Sequence, residues 1–216
     1  MLSPHGLVWF LRRKVGNQRT IIKHEDPFKV LISTVLSQRT KDSNTEVASK
    51  ALFSKYSTPK ELSQAPIEEI EGLIRKSGFY QVKARYVKSI SEKIVRDFNG
   101  VTPDTIEELL SLQGVGRKTA NCVLVYGFSK PAIPVDVHVH RISNMLGIVK
   151  TETPEETEVE LQKFFPEKYW IEVNHLMVKW GQMNRFDRKP LNKEDVLKEL
   201  KHGSGRLQSK GRNHKE

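Results

Sequence analysis

The 216-residue sequence predicts an all-α protein. Apolar residues recur at helical spacing nearly throughout, threonine–proline pairs stand where helices should begin, and no two alternating segments are joined by a two-residue hairpin turn.

The elements follow in chain order. Leu7-Val8-Trp9-Phe10-Leu11 precedes Arg12-Arg13-Lys14. Five apolar residues with the positive charges behind them make neither a signal peptide nor a membrane span. No later run is long enough, so a soluble, intracellular protein without a membrane partner is expected. Phe28, Leu31, Ile32, Val35 and Leu36 fall on one helical face, and Val47, Ala48, Ala51 and Leu52 repeat the stripe. Thr58-Pro59 reads as N-cap and first helical residue, with Glu61 completing a capping box. Val87, Ile90, Ile94 and Phe98 form the next stripe, stopped by Asn99-Gly100, and Thr102-Pro103 predicts another start. Val135, Val137 and Val139 alternate as a strand would, yet Val139, Ile142 and Leu146 fit a helix capped by Asp136, and the helix is preferred. Thr153-Pro154 opens a further helix, and the last ones carry Phe164, Phe165, Trp170, Val173 and Met177.

Composition narrows the function. The formal charge of +10 makes a polyanion the first partner to consider. With 37% hydrophobic and 29% charged residues, the chain is too apolar for a disordered basic protein. A single cysteine, Cys122, excludes an internal disulfide and any iron–sulfur cluster or zinc site needing several thiolates. Residues 201–216 hold five Lys or Arg against one acid, with one large aliphatic, Leu207, and read as a basic flexible tail.

The most informative segment runs from Leu109 to Ala120. A helix ends near Ser111, a tight turn carries Gly114 and Gly116, and a second helix begins near Arg117. Both glycines can take positive φ and present bare N–H groups. Together with the N-terminus of the second helix they predict a helix-hairpin-helix cradle for one DNA phosphate, with Val115 plugging the turn into the core. Lys118 opposes the macrodipole at the start of that helix. It has two readings, a phosphate-binding lysine or a nucleophile whose neutral form is favoured by Arg117 and the positive helix end. Composition does not separate them.

Leu112 to Asn121 resembles the hairpin of the endonuclease III family of DNA glycosylases. Pro134-Val135-Asp136-Val137-His138 with Arg141 resembles the same family's loop and catalytic aspartate. Asp26-Pro27-Phe28, Leu36-Ser37-Gln38-Arg39-Thr40-Lys41-Asp42 and Lys76-Ser77-Gly78-Phe79-Tyr80 also match, so the resemblance runs from about Pro27 to about Gly181.

That resemblance implies two helical lobes with an active-site groove between them. Residues 20–130 would form a six-helix lobe bearing the hairpin, 1–19 plus 131–200 the second lobe, and 201–216 the tail. Lys118 and Asp136 would be the catalytic pair of a bifunctional glycosylase and AP lyase, since relatives that only excise bases generally lack the lysine. The substrate class implied is oxidised pyrimidines, with mismatch or oxidised-purine excision as the alternative. Gln38, Arg39, Gly114, Val115, Gly116, Arg117, Lys83 and Arg85 would contact DNA. The family fills the gap left by the flipped base with a polar side chain from the 38–39 loop, and the sequence leaves both residues open for it. Many relatives carry a four-cysteine [4Fe–4S] loop after a segment like His175 to Gly181. Here Gln182 to Pro190 holds no cysteine, so no cluster is expected, and Trp180, Phe186 and Leu191 are expected to close that lobe instead. The implied partner is double-stranded DNA carrying a damaged base or abasic site, met by a monomer in the cytoplasm of a prokaryote, at its nucleoid.

Two other classes compete. Asp136, His138 and His140 on a strand, with His175, would suit a metal-dependent hydrolase, but on the preferred helix they would not share a face. A non-catalytic DNA-binding module would use the hairpin and the charge, yet leaves the Lys118–Asp136 pair unexplained.

Overall fold

The computed structural model describes residues 3–16, 26–184, 194 and 196–198. Among them are eleven α-helices and no strand. The chain separates into two compact units, Ile22–Pro134 and the pairing of Met1–Ile21 with Val135–Glu216.

In the first of these units, Asp26 caps α2 (Pro27–Ser37) by accepting from the N–H groups of Phe28 at 2.8 Å and Lys29 at 3.3 Å. This helix is central: Val30 is buried along with the predicted stripe, and α3 (Asp42–Lys55), α6 (Tyr80–Asp97) and α8 (Arg117–Cys122) all pack on it. On α3 the stripe is narrower than expected. Ala48 and Leu52 face inward, while Val47, about 100° round the helix from Ala48, is exposed. The capping box of Thr58 and Glu61 opens α4 (Pro59–Gln64). Pro66, with no N–H to give, then breaks the chain before α5 (Ile67–Leu73). That break, together with the short α7 (Ile106–Leu110), gives this unit seven described helices, α2 to α8, where six were expected. At the end of α6, Asn99 and Gly100 both take positive φ, and the Gly100 N–H donates to the Ile94 carbonyl at 2.9 Å.

The start predicted at Thr102-Pro103 is displaced. Thr105 is the N-cap of α7, accepting from the Glu108 N–H and bonding the Glu108 carboxylate at 2.8 Å. Thr102 has no acid three residues on, whereas Thr105 does, so Thr105 satisfies the free N–H groups better. From Cys122 the chain continues as a π-helical turn, Val123–Gly127. Any Cβ on Gly127 would lie 2.9 Å from Pro27 Cα, so the missing side chain lets this turn rest on the start of α2.

The other unit holds α1 (Pro4–Lys14), α9 (Val137–Leu146), α10 (Pro154–Phe164) and α11 (Trp170–Asn184). Its core joins Leu7 and Leu11 to Val139, Ile142, Leu161, Phe165 and Met177, all buried. Trp180 packs edge-on against Phe10, with centroids 5.4 Å apart. Arg12 and Glu172 form a two-pronged ion pair between α1 and α11. The helix start predicted at Thr153-Pro154 opens α10, where Thr153 and Glu156 also form a capping box. Phe186, Leu191 and the 201–216 tail lie outside the described residues.

Candidate active site

The hairpin sits between α7 and α8, anchored by the buried Leu109, Leu112 and Val115. Its two glycines serve different ends. Gly114 has φ +79°, and a Cβ there would lie 2.5 Å from the Tyr86 ring, so the fold itself demands glycine. Gly116 does not take the positive φ that was expected. It is extended, at φ −94° and ψ 175°, with nothing within 4 Å of where a Cβ would stand. No internal contact requires glycine at 116, which leaves its bare backbone open to a group arriving from outside. Ala120 N–H donates back to Gly116 O at 3.0 Å, so the N–H groups of the first turn, at Arg117 to Thr119, precede the helical ladder. Within that turn Lys118 is exposed, and its amine makes no hydrogen bond or ion pair among the described residues, while Thr119 beside it is buried.

The loop after α2 is tied to the hairpin. Gln38 Nε2 donates to the Gly114 carbonyl at 3.0 Å and to Thr119 Oγ1 at 3.4 Å, which turns this side chain inward. Arg39 is exposed and left-handed at φ +49°. Its guanidinium lies 5.9 Å from the ring of Phe79, itself left-handed at φ +56° and 63% exposed. Two neighbouring non-glycine residues in this region cost about 1–3 kcal/mol each, and such strain persists only where the surroundings enforce it. Gly78 is part of that enforcement: a Cβ there would stand 2.7 Å from the Arg39 carbonyl oxygen.

Lys83 departs from expectation. It is not a phosphate contact: only 3% exposed, it lies under the loop. Its ammonium donates to the carbonyls of Leu36 (2.7 Å) and Gln38, and to the hydroxyls of Thr40 (2.8 Å) and Ser77 (3.0 Å). Burial pushes its pKa down from 10.5 to about 8. Arg85, two residues on, is exposed. Nothing in the local sequence separates Lys83 from Arg85; the side of α6 on which each falls decides it.

In the other unit Asp136 caps α9. A single oxygen, Oδ1, accepts both cap hydrogen bonds, from His138 N–H at 3.0 Å and Val139 N–H at 2.9 Å. Oδ2 takes no hydrogen bond among the described residues, and the side chain is half-buried, so one carboxylate oxygen remains available. The segment is a helix and not the strand that would align Asp136, His138 and His140. His140 Nδ1 instead bonds Thr157 Oγ1 at 2.6 Å. Among the described residues, no three His, Cys, Asp or Glu side chains gather as a metal site. The sequence does not reveal the roles of Tyr86, Thr119, Ser77 and Phe79; the segment around Phe79 matches the family, but its exposure exists only in the fold.

Residues 32–167 match the HhH-GPD superfamily of base excision DNA repair proteins. Over 176 residues, the chain is 56% identical to the endonuclease III of Thermotoga maritima, covering 82% of this chain and 83% of that protein. This chain belongs to the endonuclease III family. Its Bacillus subtilis relative, also an endonuclease III, is 36% identical over 160 residues, covering 74% of this chain and 73% of the relative. Among solved structures, this endonuclease III family member is similar to a trapped endonuclease III–DNA covalent intermediate. That match has a TM-score of 0.76 at 35% identity and covers 85% of this chain and 88% of the other.

The iron–sulfur cluster that many family members carry does not fit these residues. It requires four thiolates, and the chain's one cysteine, Cys122, is buried at the end of α8.

Proposed function

We propose that this base excision repair DNA glycosylase and AP lyase uses Lys118 as its nucleophile and Asp136 as its electrostatic partner, on duplex DNA carrying oxidised pyrimidines. The observation that carries this reading is an exposed lysine two residues past Gly116, unpartnered among the described residues, beside a backbone that at Gly116 is open to a phosphate.

The hairpin would take one phosphate on the bare N–H groups of Gly116 and the first turn of α8. Base flipping costs a few kcal/mol and is cheapest for lesions that already stack or pair poorly. Excision breaks the C1′–N bond; the base departs with the bonding electrons and acquires a proton. Positive charge develops on the sugar, which the Asp136 carboxylate stabilises through Oδ2. The Lys118 amine bonds C1′, and sugar opening gives a protonated Schiff base. Loss of a C2′ proton then expels the 3′-phosphate by β-elimination, and water releases Lys118. Arg39 is the residue assigned to the gap left by the flipped base, supported by its exposure and by the inward bonds of Gln38. The enzyme works without an iron–sulfur cluster, as a monomer, on nucleoid DNA in the cytoplasm.

The test is borohydride trapping on a duplex carrying thymine glycol, in EDTA. A covalent adduct that disappears in Lys118→Ala is the expected result. Base release that requires metal, or binding without an adduct, would overturn the lysine mechanism.

A further inference from the structure

Lys83 is expensive where it stands. Burying an ammonium costs several kcal/mol, and an apolar side chain of similar volume commonly gives equal or greater stability. No carboxylate compensates it among the described residues. Lys88, one turn further along α6, is the contrast. It is half-buried, reaches the Ala65 carbonyl at 2.7 Å, and has Glu92 within 3.9 Å.

The acceptors around Lys83 come from separate stretches of chain. Leu36 O belongs to the last turn of α2, where carbonyls lack helical partners and the dipole favours a cation. Gln38 O and Thr40 Oγ1 flank Arg39 on either side. Ser77 Oγ belongs to the turn before Phe79, and itself donates to Leu36 O at 2.9 Å. The Thr40 hydroxyl also accepts from Gly78 N–H at 3.0 Å. Arg39 is therefore bracketed by groups bonded to this ammonium, and Phe79 is preceded by two residues bonded to it or to one of its ligands. Gln38 extends the set, its carbonyl on Lys83 and its side chain on Gly114 and Thr119.

We infer that Lys83 is a positioning residue for base excision: an internal ammonium that locks the Arg39 loop and the Phe79 turn to each other and, through Gln38, to the hairpin before DNA arrives. This rests on the glycosylase reading above and adds to it the residue that preorganises the duplex-distorting surface. A compact ammonium can share its three N–H donors among two carbonyls and two hydroxyls converging on one point, whereas a planar guanidinium cannot. Holding the strained loop in advance spares the protein–DNA complex that ordering cost.

The inference separates two activities of the one enzyme. Excision from duplex DNA needs the loop to replace a flipped base. Schiff-base formation on a single-stranded oligonucleotide with an abasic site needs Lys118 but no gap to be filled. In Lys83→Met, full chain, single-turnover base release from duplex should fall by about ten- to a hundredfold, the range for misplaced groups. Borohydride trapping on the single strand should stay within about twofold, below the smallest of those losses. Lys83→Arg should behave like Lys83→Met despite keeping the charge. Thr40→Val removes one acceptor and leaves the ammonium, so it should show the same split to a smaller degree, which covers the case of Lys83→Met failing to fold. Equal loss of both activities, unchanged duplex excision in either variant, or recovery in Lys83→Arg would overturn the positioning role. A wild-type protein inactive on both substrates would instead overturn the glycosylase reading itself.

Discussion

Replacing Gly116 by alanine should weaken DNA binding while leaving the free protein intact. At φ −94° and ψ 175° the backbone is in a region open to any residue, and an added Cβ meets nothing within 4 Å. Reduced freedom of the unfolded chain favours the variant by about 0.4–1 kcal/mol. Alanine is a poorer N-cap than glycine, by roughly 0.5–1 kcal/mol. These effects offset, so the melting temperature should stay within about 4 °C, the shift per kcal/mol for a chain of this size. DNA binding has no such compensation. A methyl group on the surface that meets the phosphate removes a charge-assisted hydrogen bond worth about 1.5–3 kcal/mol, or roughly ten- to a hundred-and-fifty-fold in affinity. Fluorescence anisotropy on an undamaged duplex across a salt series would measure this, and because the lost donor is a neutral N–H, affinity should fall by a similar factor at each salt concentration with the slope of log K against log salt kept. Gly114→Ala is the internal control. With φ +79° and a Cβ 2.5 Å from Tyr86, it should lose about 2 kcal/mol or more in stability, from left-handed strain and overpacking together. DNA affinity of Gly116→Ala within twofold of wild type, with Gly114→Ala stable, would refute the assignment of the two glycines.

Asp136→Asn should keep α9 intact, because asparagine caps as well as aspartate and needs only the one oxygen that accepts from His138 and Val139. Its single-turnover excision should drop by about 10²–10³, the usual loss for one electrostatic stabiliser, and an unchanged rate would remove Asp136 from the chemistry. Lys83 also predicts a pH signature in stability. Its folded pKa, about 8, lies below the ordinary 10.5, so from about pH 8 to 10.5 the unfolded chain binds more protons at this site. Its contribution to stability therefore rises with pH across that window, by at most about 1.4 kcal/mol per unit. Urea denaturation of wild type and Lys83→Met at pH 7, 8, 9 and 10 should show this slope in the difference between them; parallel profiles would contradict it.

Local chemistry made much of this protein legible in its sequence. The Asp136 helix could be read from a carboxylate followed by Val139, Ile142 and Leu146, because capping and helical spacing act over a few residues. The hairpin, its Val115 plug and the start of α8 were readable for the same reason. At the start of α7 two local signals compete. Thr102-Pro103 has the proline that suits a helix start, but Thr105 has the acid three residues on, and the second signal prevailed.

The sequence by itself determined the helices, their caps and the residue types from which a lysine-based glycosylase can be built. Only the tertiary structure decided which side chains of Gln38-Arg39 turn in and out, which glycine the fold demands, and that Lys83 is a buried clamp while Arg85 remains on the surface. The physical reason is distance along the chain. Caps and stripes are satisfied within a turn or two, but the acceptors that make a cage for Lys83 start at Leu36 and end at Ser77, and they converge only when α2 and α6 pack.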